Sequence, residues 1–139
     1  MRRVSIRRVG IRPGRALTGG LLAALLPLAS AVAAGDAARG AALVASRSQG
    51  LCVLCHALPG QLPAHQGTLG PALNGVGGRL DADALRQRLL APERFNPDTV
   101  MPAYGRSDGL QQVATALRGK PLLAPAQIDD VVAYLATLR

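Results

Sequence analysis

Both cysteines of this 139-residue chain fall within five positions, Cys52-Val53-Leu54-Cys55-His56, and a histidine directly follows the second. Two thiols at this spacing lie one helical turn apart, where they can add to the two vinyl groups of a single porphyrin. The adjacent imidazole then sits beneath the ring centre as proximal iron ligand. The pattern points to one covalently attached haem c, with Cys52 and Cys55 tethering the ring and His56 holding the metal. Two other chemistries use cysteines spaced in this way. A dithiol redox pair wants a strand ahead of it in a βαβ setting, and no strand pattern precedes Cys52. A zinc site needs four ligands, normally with a second Cys or His pair elsewhere, and only His65 is left to contribute.

The N-terminal segment has a different composition from the rest. Residues 1–15 carry six arginines and no acid, residues 16–29 are almost wholly apolar or small, and Ala31-Val32-Ala33 offers small side chains where a signal peptidase reads them. This is the pattern of a secretory signal peptide covering residues 1–33, cleaved after Ala33, with Ala34 as the second choice. The expected mature domain is then residues 34–139, located in the periplasm and free of the membrane after cleavage. An uncleaved anchor fits less well, because Gly19, Gly20 and Pro27 interrupt the apolar run. Arg7-Arg8 after Ser5 matches a twin-arginine signal poorly, since Val9 and Gly10 follow.

Of the 16 basic residues, six lie in that leader, so the remainder has ten against eight acids, a net charge of about +2. The mature part has no basic run, and Phe95, Tyr104 and Tyr134 are its only aromatics, so a nucleic-acid partner is not expected. A domain of about 105 residues without tryptophan has little with which to fill a core. A buried porphyrin would supply the missing apolar bulk.

Along the mature chain, Asp36 can cap a helix in which Ala37, Gly40, Ala41 and Val44 share one face, running to about Ser46 or Ser48. Gly40 on that face would allow close approach of a second helix. From Ala57 to Leu80 the composition turns to Gly, Pro and small polar residues, which predicts loop. Asp81 caps a helix through Ala91, with Leu85, Leu89 and Leu90 inward and Arg86 and Arg88 more exposed, ended by Pro92. Leu110, Val113, Ala114 and Leu117 keep helical spacing and predict a short helix before Gly119 and Pro121. The last helix, Pro125 to about Leu138, carries Ile128, Val131, Val132, Leu135 and Leu138 as one stripe. Asp129 and Asp130 lie near its positive end, and its stripe, with Tyr134, should cross the first helix near Gly40.

The segment Gly70-Pro71-Ala72-Leu73 after the attachment motif resembles that of the class I cytochromes c, all-α proteins whose small helices and long loops wrap one covalent haem. That resemblance implies that the Pro71 carbonyl accepts the N–H of the His56 ring, that Arg79 reaches a haem propionate, and that Met101, in Asn96-Pro97-Asp98-Thr99-Val100-Met101-Pro102, is the distal iron ligand. A lone methionine is usually core filler, but this one is flanked by prolines that keep its segment extended. His65, in a Gly/Pro/Gln-rich loop, is the rival sixth ligand and is better explained as a surface histidine.

Taken together, the methionine segment, Arg118-Gly119-Lys120-Pro121-Leu122-Leu123 and Gln127-Ile128-Asp129-Asp130-Val131-Val132-Ala133-Tyr134-Leu135 resemble SoxX, the mono-haem subunits of SoxAX cytochromes of bacterial sulfur oxidation. The resemblance implies a SoxA-type partner in a heterodimer with L-cysteine S-thiosulfotransferase activity. In such a complex thiosulfate is joined oxidatively to a cysteine of the SoxYZ carrier, with the bond made at a cysteine-ligated haem of SoxA and electrons passed to a downstream acceptor. If both cysteines here are spent in thioethers, none remains to attack sulfur, so no catalytic residue is expected in this chain. A free-standing electron shuttle is the alternative, and a ligand sensor or peroxidase-like enzyme is a third reading that requires an open distal position. Because the porphyrin replaces core side chains, the polypeptide without haem should show markedly weaker helical circular dichroism than the loaded protein; equal spectra would contradict this.

Overall fold

A computed structural model describes residues 35–139 and Gly10; the rest of the expected leader, residues 1–33, and its cleavage site lie outside the described residues. Among the described residues four α-helices follow one another: α1 (Ala37–Ala45), α2 (Val76–Arg79), α3 (Ala82–Leu90) and α4 (Pro125–Thr137). Short 3-10 turns stand at Cys52–Leu54, Pro63–His65, Pro92–Arg94 and Thr115–Leu117. Among the described residues there is no strand, in keeping with the all-α expectation.

Helix α1 starts where Asp36 turns its carboxylate back to accept from the amides of Ala38 (2.8 Å) and Arg39 (3.0 Å), which satisfies donors that no helical carbonyl reaches. It ends at Ala45, slightly short of expectation. There the Ser46 hydroxyl accepts from the amides of Ser48 and Gln49, and this local alternative competes with another helical turn. Helix α4 begins with Pro125, whose missing N–H costs nothing at that position. Ala124 has no capping side chain, but the Gln127 amide oxygen accepts from the Ala124 N–H at 2.9 Å and supplies half of a capping box.

The α1–α4 pair is the scaffold. Ile128, Val131, Val132 and Leu135 of α4 are buried, as are Leu43 and Val44 of α1. Gly40 lies at the crossing: a Cβ there would stand 1.9 Å from the Asp130 carbonyl oxygen and 2.9 Å from Tyr134 Cβ, so only glycine lets the backbones approach this closely. Asp130 does something other than complement the helix dipole. It is only 5 % exposed, and its carboxylate accepts from the Asp36 amide (2.7 Å) and from both Nε (2.8 Å) and Nη2 (2.9 Å) of Arg39. A carboxylate buried this deeply needs such partners, and here the start of α1 provides all three donors.

Helix α3 is capped by Asp81, which accepts from the Ala84 amide at 2.8 Å, and it buries Leu85 and Leu89 against the core. Leu90 departs from the expected inward face and is 37 % exposed, while an Arg86–Asp129 ion pair ties α3 to α4. The helix expected around Leu110–Leu117 does not form. Gly109 and Gln112 both adopt positive φ (67° and 56°), which no continuous right-handed helix tolerates, and Leu110 and Leu117 remain exposed. Only the turn at Thr115–Leu117 survives, and Gly119 in the left-handed region closes the segment.

The Arg39 side chain, followed by the Asp36 amide, holds the Asp130 carboxyl below its ordinary range. A carboxyl depressed in the folded state stabilises the fold above its unfolded value near 4, and that contribution is lost as pH falls through the lower folded value. Urea unfolding should therefore show Asp130→Asn less stable than the parent at neutral pH, with the gap narrowing on acidification; a gap constant with pH would contradict the assignment.

Candidate haem site

The attachment motif is bent into place from both ends. Before it, Gly50 passes so close to α1 that a Cβ would meet the Leu43 carbonyl at 2.2 Å, and Leu51 takes a left-handed φ of 61°. The chain then winds through one tight turn, with the amides of Cys55 and His56 both donating to the Cys52 carbonyl (3.1 and 2.9 Å). That turn brings both thiols and the imidazole to one side.

After the motif the glycine-rich segment folds back on it through three backbone hydrogen bonds: Gly67 to Val53 (2.8 Å), Gly70 to Cys55 (2.8 Å) and Leu73 to Ala57 (2.9 Å). The return path places the Pro71 carbonyl 2.6 Å from His56 Nδ1. Since a carbonyl only accepts, Nδ1 carries a proton, and in the neutral imidazole the lone pair is then on Nε2, across the ring. Gly70 is the contact that sequence reading did not single out. A Cβ there would lie 2.4 Å from His56 Cε1 and 2.7 Å from Nδ1, so the loop closes on the imidazole only because position 70 has no side chain.

Two cavities of about 430 and 530 Å³ flank this ring and share Cys52, His56, Pro71, Met101 and Tyr104 in their walls. The first is completed largely by apolar side chains, among them Leu73, Leu85, Leu89 and Leu135, with Arg79 and Arg88 also in its wall. The second adds Cys55, Leu54, Leu69 and Val100, of which the last three are substantially exposed. A largely apolar cleft with a few polar groups aimed into it is the general form of a cofactor site. Cys52, His56, Pro71 and Met101 are thus brought together, Cys55 joins on one side and Arg79 on the other.

Each of these side chains has a definite setting. Cys52 is buried, with its sulfur 3.3 Å from the Gly50 carbonyl and 3.8 Å from the Tyr104 hydroxyl, and burial pushes its thiol pKa up. Reactive redox cysteines need the reverse, an electropositive and partly exposed setting, so the dithiol reading loses support. Met101 is half-buried against the core, and its segment is shaped by Asn96 accepting from the Asp98 amide and Thr99 accepting from the Met101 amide, both at 3.1 Å. Arg79 is exposed and donates to the Asn74 carbonyl at 2.8 Å from the cavity wall. Arg88, expected outward, also borders that cavity, with its guanidinium 4.2 Å from the centre of the Phe95 ring. His65 is exposed and lines neither cavity, and among the described residues no group of three or more His, Cys, Asp or Glu is placed to hold a metal ion.

These groups fit a haem c: two thiols at one edge of the cleft, an imidazole whose free Nε2 is held in a fixed direction, a thioether in the same walls, and apolar side chains to exclude water. The cytochrome c family model matches residues 37–139, nearly all of the described chain. The chain belongs to the cytochrome c family. Covalently bound haem c is that family's cofactor, and one-electron transfer is the chemistry it supplies. Among solved structures, a chain of the crystal structure of SoxXA from P. pantotrophus is 34 % identical, with a TM-score of 0.67, covering 77 % of this cytochrome and 84 % of that chain. The cytochrome is therefore of the SoxX type and has the all-α fold of class I cytochromes c. No curated protein sequence matches it. No helix among the described residues is long and apolar enough to cross a membrane.

The close approach at Gly70 can be tested directly. Gly70→Ala should displace the His56 ring and destabilise the loaded protein by about 1–3 kcal/mol, the usual cost of an over-packed site. Gly78→Ala, where an added Cβ meets nothing within 4 Å, should be close to neutral in the same thermal unfolding assay. Equal effects at the two positions would contradict the role given to Gly70.

Proposed function

We propose that this cytochrome is the electron-accepting subunit of a SoxAX-type complex that couples thiosulfate oxidatively to a carrier-protein cysteine. The observation that carries the reading is the 34 % identity to a chain of SoxXA, spread over most of both chains. Residues 34–139 form the mature domain, exported to the periplasm by the leader at residues 1–33 and free of the membrane after cleavage. The partners are a SoxA-type subunit, a SoxYZ-type carrier reached through the complex, and a downstream electron acceptor.

In this reading Cys52 and Cys55 would attach one haem, and His56 Nε2 and the Met101 thioether would hold its iron. The chain's own contribution is to hold these groups still. The Pro71 carbonyl fixes the rotation of the imidazole about its long axis and makes its free nitrogen a better donor, as hydrogen-bonded ligating histidines generally are. The Met101 segment is not extended throughout as expected: it turns at Pro97–Asp98, where the Thr99 amide donates to the Asn96 carbonyl at 3.1 Å, and it brings a neutral sulfur that favours a higher potential than a thiolate would, suited to accepting electrons from a cysteine-ligated haem. Arg79 is assigned to a propionate. With both cysteines committed to attachment, no thiol is left to carry sulfur, so this subunit relays electrons and the bond-making belongs to its partner.

Co-expression with a cytochrome maturation system and a SoxA-type subunit should give a complex that survives affinity purification and reduces the haem of this chain when thiosulfate and a carrier protein are added. Purification as a monomer without thiosulfate-dependent reduction would favour the free-standing shuttle. Met101→Ala should open the iron, so that the ferrous variant binds carbon monoxide readily while the parent does not; ready binding by the parent would favour the sensor or peroxidase-like reading.

A further inference from the structure

We propose that Tyr104 is a positioning residue that registers the Met101 segment against the attachment motif through a hydrogen bond from its hydroxyl to the sulfur of Cys52. The inference rests on the haem reading above and adds a residue that the motifs do not assign.

Three observations support it. Tyr104 is held from both sides of its backbone, its amide donating to the Leu89 carbonyl at 2.8 Å and its carbonyl accepting from the Leu123 amide at 3.0 Å. It is therefore a fixed point tied both to α3 and to the buried Leu123. The residue is 3 % exposed and stands in the walls of both cavities, which His56 and Met101 also line. Its hydroxyl lies 3.8 Å from Cys52 Sγ, a sulfur-range hydrogen bond linking residues 52 positions apart in sequence. Met101 is tethered upstream through its amide to Thr99, and Pro102 beside it has no N–H to give, so Tyr104 is the anchored residue on the downstream side.

The direction of the bond follows from the chemistry of attachment. A free thiol can donate or accept, but a thioether sulfur has lost its proton and keeps only lone pairs. In the loaded protein the hydroxyl must therefore be the donor, and a buried hydroxyl without a partner would be costly. The ring packs the site and the oxygen fixes its register, so the two contributions separate in Tyr104→Phe, which retains the ring and deletes the donor.

The test uses the covalently loaded protein. Cyanide competes for the iron against the Met101 sulfur, so looser registration should tighten cyanide binding to ferric Tyr104→Phe roughly threefold to tenfold, the range that loss of one neutral hydrogen bond allows. In the parent protein, exchange into D2O should shift the C–S stretching band of the Cys52 thioether in the resonance Raman spectrum, and Tyr104→Phe should abolish that shift. A structural role for the ring alone would move neither readout. Unchanged cyanide affinity in Tyr104→Phe overturns the proposal, as does a parent band indifferent to D2O, which decides the matter even if the variant fails to load haem. Failure of the parent to carry covalent haem is a distinct result that removes the haem reading itself.

Discussion

The hydrogen bond from His56 Nδ1 to the Pro71 carbonyl is the contact on which the rest of the site depends. It exists because the segment after the attachment motif returns along it, amide by amide, until a proline carbonyl faces the imidazole. Glycines at 67 and 70 allow the return, since a Cβ at either would collide with the Leu54 carbonyl or the His56 ring. The bond leaves the ring's second nitrogen free and aimed in one direction, as an axial ligand requires. A motif of five residues thus becomes a site only through a loop of low complexity that lies beyond it.

That loop could not hold its shape without a rigid base. The base is the crossing of α1 and α4, in which Gly40 brings the backbones together and the Asp130 carboxylate binds the first residues of α1. The same arrangement connects the start of the domain to its last helix, while α3 contributes Leu85 and Leu89 to both the core and the cavity wall. Val76, Leu85, Leu89 and Leu135 belong to the buried core and also line the cleft. A small chain without tryptophan can be organised in this way if the cofactor completes its interior.

Where local chemistry decided the outcome, the sequence was a good guide. Asp36 and Asp81 cap the helices they were expected to cap, Pro125 begins the last one, and Gly40 lies where α4 crosses α1. The all-α class and the grouping of Cys52, His56, Pro71 and Met101 around one cleft followed from motif and resemblance. What escaped was set by contacts between distant segments. Helical spacing at Leu110, Val113 and Leu117 was broken by left-handed Gln112, and Leu110 and Leu117 stay exposed. Asp130 resembled a residue favouring the helix dipole until the start of α1 enclosed it, and Arg88 and Leu90 exchanged environments relative to the simple helical-face assignment. Gly70 stood in the motif that carried the resemblance, but its approach to the His56 ring, like the place of Tyr104 in the cavity walls, depends on what packs against it.

In the proposed site Cys52 and Cys55 would both carry thioether bonds to a single porphyrin held over His56. Mass spectrometry of the protease fragment containing residues 52–56, after acid–acetone extraction of the purified protein, tests it most directly. The pigment should stay with the polypeptide, and this fragment should be heavier by the mass of one haem. Pigment released into the organic phase, or a fragment of unmodified mass, would contradict it.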